Sequence, residues 1–296
     1  MNQSVIKSSG QIALAIDHFR EPDRNFEKGG RSFYFFDFDD NVVHLPSKIF
    51  IFNKKTHEEL EVSTTYFAEI AKTLGKSGPF ENFEIRETAH VGSFRNFREI
   101  PKELLKDKKQ QPLLADVFAA LQNPFLEWRG PSWNFFVHAV NNGRPISIIT
   151  ARGHHPHTIR QAINILVQSR DLPVNPNYLS LYPVSDSEVR KALGDKDLSW
   201  SVAHLKKAAI HAAVKDAFEC YGENPHHRFG MSDDDPHNVE LIIEAMKELK
   251  VKYPDNAFFV INTAGGQLKR EEILLDHVET TVLKNNSEDE DQLPLI

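Results

Sequence analysis

The chain has very little cysteine. Cys220 is the sole one in 296 residues, so no intrachain disulfide can form and a small secreted scaffold stapled by disulfides is excluded. A reducing, cytoplasmic setting is the expectation. Long apolar runs are also missing. No stretch approaches the ~20 apolar residues that a membrane-crossing helix needs, and Ile12 to Ile16, after Lys7, is too short for a secretory signal core. Excess positive charge is absent as well: 35 Lys and Arg stand against 42 Asp and Glu, a formal net charge of -7, with a pI near 6.1. Neither a nucleic-acid partner held on a broad basic face nor a membrane is expected. The basic run Lys102 to Lys109 reads as one solvated helix face.

What is present is carboxylate where carboxylate is costly. Phe33 to Phe36 is an aromatic run of strand length that empties into Asp37, Asp39, Asp40 and Asn41. Crowded aspartates repel one another and resist desolvation, so a cation or a proton-transfer task usually compensates them. A calcium loop of the EF-hand type would need Gly at its sixth position and Glu at its twelfth, and those places hold Val42 and Lys48. A solvated acidic turn after a strand is the bland alternative for this motif taken alone.

Along the chain, residues 1–30 lack periodicity and read as an N-terminal extension. After the first strand, apolar runs of strand length recur at Ile146–Thr150, Leu179–Val184, Arg228–Ser232 and Ala257–Asn262. Helical patterns fall between them at Thr158–Ser169, Val202–Cys220 and Asn238–Lys250. Strands alternating with helices predict an α/β fold, a three-layer Rossmann-like parallel sheet with ligands at the carboxyl ends of its strands. Residues 31–44 and 130–284 are assigned to this core. The interval 45–129 breaks the alternation: Lys48–Phe52 and Glu59–Ser63 form a hairpin pattern, and Tyr66–Leu74 and Leu113–Leu121 look helical. It is read as an inserted mixed α+β subdomain. Trp133–Val140, closed by Asn141-Asn142-Gly143, returns the chain to the core. Residues 285–296, with Glu288 to Asp291 in a row, read as an acidic disordered tail.

Three further pieces join the first. Ile146 to Thr150 is a buried-strand pattern ending in a hydroxyl, followed by Ala151, Arg152 and Gly153. Phe229 to Ser232 is a second apolar strand that ends in Asp233, Asp234 and Asp235, with Pro236 and Asn238 opening a helix. Two acidic strand ends on one edge of a parallel sheet call for a hard cation with oxygen ligands. Lys206, Lys207 and Lys215, on the helix before that strand, supply candidates for offsetting phosphate charge.

In this order, Asp37-Phe38-Asp39-Asp40-Asn41, Thr150, Lys207 and Asp233-Asp234 with Asn238 resemble the four motifs of the haloacid dehalogenase superfamily of hydrolases. The resemblance covers roughly residues 32–44 and 130–265 and implies a Mg²⁺-dependent phosphatase acting on a small phosphorylated substrate. It implies that Asp37 is the nucleophile that becomes an aspartyl-phosphate and that Asp39 is the general acid and base. Mg²⁺ would be held by Asp37, the Asp39 main-chain carbonyl, Asp233 and Asp234. Thr150, Ala151 and Lys207 would bind the phosphoryl group, and Asn238 would support the acidic loop. The insert at 45–129 occupies the place of a cap in that family. Asp39 favours phosphate esters, since dehalogenase members lack it. A phosphotransferase would keep all these residues, and a non-catalytic member binding a phospholigand or a protein is the reading from another class.

Arg152 is a candidate substrate contact because its fork matches phosphate or carboxylate. His154, His155 and His157 suggest a place at a pocket mouth rather than a transition-metal site. Gly75-Lys76-Ser77 fails as a nucleotide phosphate loop because Ile70 stands where the first glycine is required. Which lysine meets phosphate, which of Asp233 and Asp234 binds metal directly, and the substrate itself are not legible in the sequence.

Overall fold

The computed structural model describes residues 20–283 apart from 89, 108–109, 124 and 265–267. The acidic tail, the Gly265-Gly266 turn and most of the N-terminal extension lie outside the described residues. The end of that extension packs on the core: Asp23 and Arg144 form a buried ion pair at 2.8 Å, and the Asp23 carboxylate accepts from Ser32 N at 2.9 Å.

In chain order the elements are β1 (Ser32–Phe36), β2 (Lys48–Asn53), β3 (Glu59–Ser63), α1 (Thr64–Ile70), β4 (Phe83–Glu84), α2 (Pro112–Ala120), α3 (Phe125–Trp128) and α4 (Trp133–Asn141). There follow β5 (Pro145–Thr150), α5 (Pro156–Gln168), β6 (Asn177–Pro183), α6 (Ser187–Ala192), α7 (Val202–Tyr221), β7 (Arg228–Asp233), α8 (Pro236–Lys252), β8 (Ala257–Asn262), β9 (Lys269–Ile273) and β10 (Val278–Val282). A seven-stranded sheet has the order β10-β9-β8-β7-β1-β5-β6. The strands from β8 through β6 are parallel, and β9 and β10 add antiparallel at one edge. The protein is therefore α/β.

The alternation in β1 shows how the layers form. Successive side chains of a strand face opposite sides, and here both sides are apolar because helices cover both. Phe33 and Phe35 join Phe229, Phe258, Leu205 and Met246 in one buried cluster with α7 and α8. Tyr34 and Phe36 join Phe136, Ile163 and Val117 in the other, with α2, α4 and α5. β1 lies between β7 and β5, the middle one of the five parallel strands.

Between β1 and α4 the chain makes a long excursion. It leaves and returns at one place: Val43 bridges Arg129 antiparallel, and His44 N donates to Trp128 O at 2.8 Å. Gly130 has no side chain at a point where a Cβ would sit 2.4 Å from Asn41 O, so the returning strand can lie directly on the turn after β1. Within the excursion, β3-β2-β4 form a second sheet, antiparallel and in the hairpin register Ile49↔Val62. It has its own apolar cluster of Ile49, Ile51, Val62 and Ile70 with Phe67, Phe94 and Phe97 packed against it. α2 does not join that cluster; it packs on α5, with Leu113 and Val117 fully buried in the main core.

Candidate active site

The register Phe36↔Ser232 brings the ends of β1 and β7 level, and Asp37 N donates to Ser232 O at 3.0 Å. Asp37 and Asp233 thus emerge side by side at the carboxyl edge of the sheet. Asn41, fully buried, fixes the turn beyond. Its amide donates to Asp37 O at 3.2 Å and Ser232 O at 3.0 Å. Its carbonyl oxygen accepts from Ser132 Oγ at 2.8 Å and Thr263 Oγ1 at 3.0 Å, and the Ser132 and Ser232 hydroxyls touch each other. One amide therefore ties β1, β7, the start of α4 and the end of β8 together. Asp40 adopts a left-handed conformation at φ 57°, tolerated by a short polar side chain, and its carboxylate accepts from Thr64 Oγ1 at the start of α1, at 2.9 Å.

Oxygens of Asp37, Asp233 and Asp234 all lie within 4.8 Å of one another. Lys206 Nζ sits between two of them, 2.8 Å from Asp37 Oδ1 and 3.0 Å from Asp233 Oδ2. Burial works against the ammonium, yet the charges of Asp233 and Asp37 outweigh it and push the Lys206 pKa up. Asp37 is pushed well above the usual carboxylate range by burial and by Asp233 and Asp39, with Lys206 pulling the other way. Asp234 makes no ion pair among the described residues. Burial, then the charges of Asp233 and Asp40, push its pKa up to about 7. Three oxygen donors, one shared ammonium and a third carboxylate without a counter-ion suit a hard divalent cation.

Asp39 is held differently. Arg152 donates to it from Nε at 2.9 Å and from Nη2 at 2.6 Å, and Thr150 Oγ1 donates to Asp39 Oδ2 at 3.2 Å. The Asp39 carboxylate is not among the three grouped oxygens, although it lines the same cleft; the expectation placed Asp39 at the metal through its main-chain carbonyl. Arg152 is itself 1% exposed. It also donates to Ser47 Oγ at 2.6 Å and Asn96 O at 3.3 Å, and stacks over Phe97. Ser47 in turn donates to Asp116 of α2, whose pKa burial pushes up. Arg152 also lines the cleft, and its fork is engaged by protein groups, where it fixes Asp39.

The lysine expectation also needs correction. Lys207 points away from the aspartates and pairs with Glu248 at 2.7 Å, and Lys215 is exposed and pairs with Glu219. Helical spacing explains it. Lys206 falls on the buried stripe with Leu205, Ala209, Ile210 and Ala213, whereas Lys207, His211 and Lys215 share the solvent face at i+4 intervals. That signal was present in the sequence. Asn238 Nδ2 donates to Asp233 Oδ1 at 3.1 Å, which supports the acidic loop. Thr150 is fully buried beneath the site, and Ala151 is exposed on its rim. His154 is fully buried, with no hydrogen-bond partner at either ring nitrogen, and His155 caps α5 by accepting from His157 N. None of the three belongs to the carboxylate group. Ser47, Asp116, Ser132 and Thr263 were not singled out by sequence reasoning, because each meets its partners only through the fold.

These groups open into a cleft of about 810 Å³, roofed by Ile49, Phe67, Phe94 and Phe97 and by the start of α1. Compared with known proteins, the chain matches no family model, no curated protein and no solved structure. Among the described residues no helix is long and apolar enough to cross a membrane.

Proposed function

We propose that this chain is a Mg²⁺-dependent phosphatase that hydrolyses a phosphomonoester through an aspartyl-phosphate on Asp37, in a reducing, cytoplasmic setting. In this reading the seven-stranded sheet and its helices are a Rossmann-like three-layer core, and the β2–β4 region is the cap over the cleft. The observation that carries it is the grouping of Asp37, Asp233 and Asp234 around Lys206 at one sheet edge, with Asp39 fixed two residues along.

Asp37 attacks phosphorus in line, and the bond from phosphorus to the ester oxygen breaks. Asp39 delivers a proton to that leaving oxygen, then takes one from the water that attacks the aspartyl-phosphate, freeing phosphate and the Asp37 carboxylate. Lys206 orients Asp37 and offsets the charge of the incoming phosphoryl group. Arg152, with Thr150, holds Asp39 in one place through both steps. Held by the carboxylates of Asp37, Asp233 and Asp234, Mg²⁺ would supply the positive charge that lets an anionic phosphate approach a carboxylate.

The test is release of inorganic phosphate from an aryl phosphate and a panel of metabolite phosphates, with and without Mg²⁺, by the native chain and Asp37→Asn. Mg²⁺-dependent release that Asp37→Asn abolishes is the expected result. Release that persists in Asp37→Asn would overturn the proposal.

A further inference from the structure

Beside the acidic cleft lies a second cavity of about 680 Å³. The two share Ile49, Phe94, Phe97 and Ala151 as a common wall. Helix α7 links them as well: Lys206 lines the cleft, and Val202, one turn earlier, lines the second cavity. Lys206 is buried and Val202 is 41% exposed, so α7 borders the acidic cleft with its buried stripe and the second cavity with its rim.

The wall between is fastened to the core. Gly153 N donates to Phe97 O at 2.8 Å, and Glu99 N donates to Gly153 O at 3.2 Å. The Glu99 carboxylate then accepts from His155 N and Thr158 Oγ1, each at 3.0 Å. The charged groups of the cavity are already committed to protein partners. Arg98 pairs with Glu87 at 3.0 Å, Arg190 pairs with Asp195 at 2.7 Å, and Asp186 accepts the first amides of α6. A second anionic group would meet two occupied guanidiniums and the carboxylates of Glu87, Glu99 and Asp186. An uncharged, flat apolar group would meet Phe94, Phe97, Leu198 and Val202.

We infer that the second cavity receives the body of the substrate, and that this body is an uncharged aromatic or nucleoside-sized group carrying one phosphoryl group and no second anion. The inference rests on the phosphomonoester reading for the placement of the phosphoryl group.

Unreactive probes separate the two claims. Calorimetry on the native chain with Mg²⁺ would compare methylphosphonate, naphthylmethylphosphonate and an alkane bisphosphonate of similar reach. Naphthylmethylphosphonate is expected to bind about tenfold or more tighter than methylphosphonate, and the bisphosphonate no tighter than methylphosphonate. Val202→Trp, or Ser187→Trp at another lining position, fills the cavity and should remove the naphthyl gain while leaving the affinity for inorganic phosphate unchanged. A missing gain, a gain that survives both variants, or an equal gain for the bisphosphonate overturns the inference. Release of phosphate from naphthyl phosphate is followed in parallel. Binding gain with no release from naphthyl phosphate or from any member of the phosphate panel would sink the phosphatase reading and leave the cavity's preference for an uncharged aromatic body standing; release without the gain would do the reverse.

Discussion

Replacing Asp234 by Asn should make the metal-free protein more stable at neutral and alkaline pH. Asp234 has a pKa pushed up to about 7 by burial and by the charges of Asp233 and Asp40. In the unfolded chain it titrates near the ordinary carboxylate value of ~3.9. Between these values the folded state holds a proton that the unfolded state has released, so stability falls as pH rises through that window, by up to ~1.4 kcal/mol per pH unit. The ceiling is ~4 kcal/mol; partial contact with solvent and coupling to Asp233 reduce it to roughly 1–3 kcal/mol. Asn keeps the shape and cannot ionise. Thermal unfolding in chelator at about pH 8 should therefore show Asp234→Asn melting a few degrees above the native chain, converging with it near pH 4. Adding Mg²⁺ at about pH 8 should raise the native melting temperature and move the variant far less. A variant less stable than the native chain in chelator at about pH 8, or a difference that ignores pH, would refute the reasoning.

Two further outcomes follow from the same geometry. Lys206→Met should cost about 3–5 kcal/mol in denaturant unfolding, because it strands two buried carboxylates, while Lys207→Met should stay within ~0.5 kcal/mol. Arg152→Lys loses the planar fork that grips Asp39; phosphate release should drop by about 10- to 100-fold while the Mg²⁺-induced rise in melting temperature persists, and an unchanged rate would remove Arg152 from its positioning role.

The core strands were legible because each is an apolar run that stops at a polar break, and β8, Ala257–Asn262, matches its sequence-based boundaries residue for residue. The two antiparallel strands β9 and β10 were not. Lys269–Ile273 and Val278–Val282 carry charge and threonine, the first half-buried next to the edge and the second exposed at it, where no continuous apolar run is required. Asp37, Asp233 and Asp234 stood out because carboxylates at the ends of buried strands are costly wherever they occur. Arg152 was noticed for its chemistry, but its hold on Asp39 was not, since neighbours in sequence do not reveal that Asp39 lies within hydrogen-bond reach. Asn41 was noticed only as part of the polar break after β1; its partners Ser132, Ser232 and Thr263 come from three other places in the chain.

The bridge between Val43 and Arg129 marks where the excursion separates from the sheet by connectivity, but packing draws the line elsewhere. Loop-closure entropy grows slowly with length, so joining residues 44 and 128 by a short turn would be easy on the chain. It would also remove α2, and with it Leu113, Val117 and Ala120 from the surface of α5, and Asp116 from the Ser47 hydroxyl that Arg152 binds. The unit that could be exchanged for another without uncovering the core is therefore the small sheet alone, roughly residues 48–94, held at one end by the Val43–Arg129 bridge and at the other by Asn96 and Phe97 on Arg152 and Gly153. A lineage or a designer seeking new specificity would have to graft between those two anchors and leave α2 where it is.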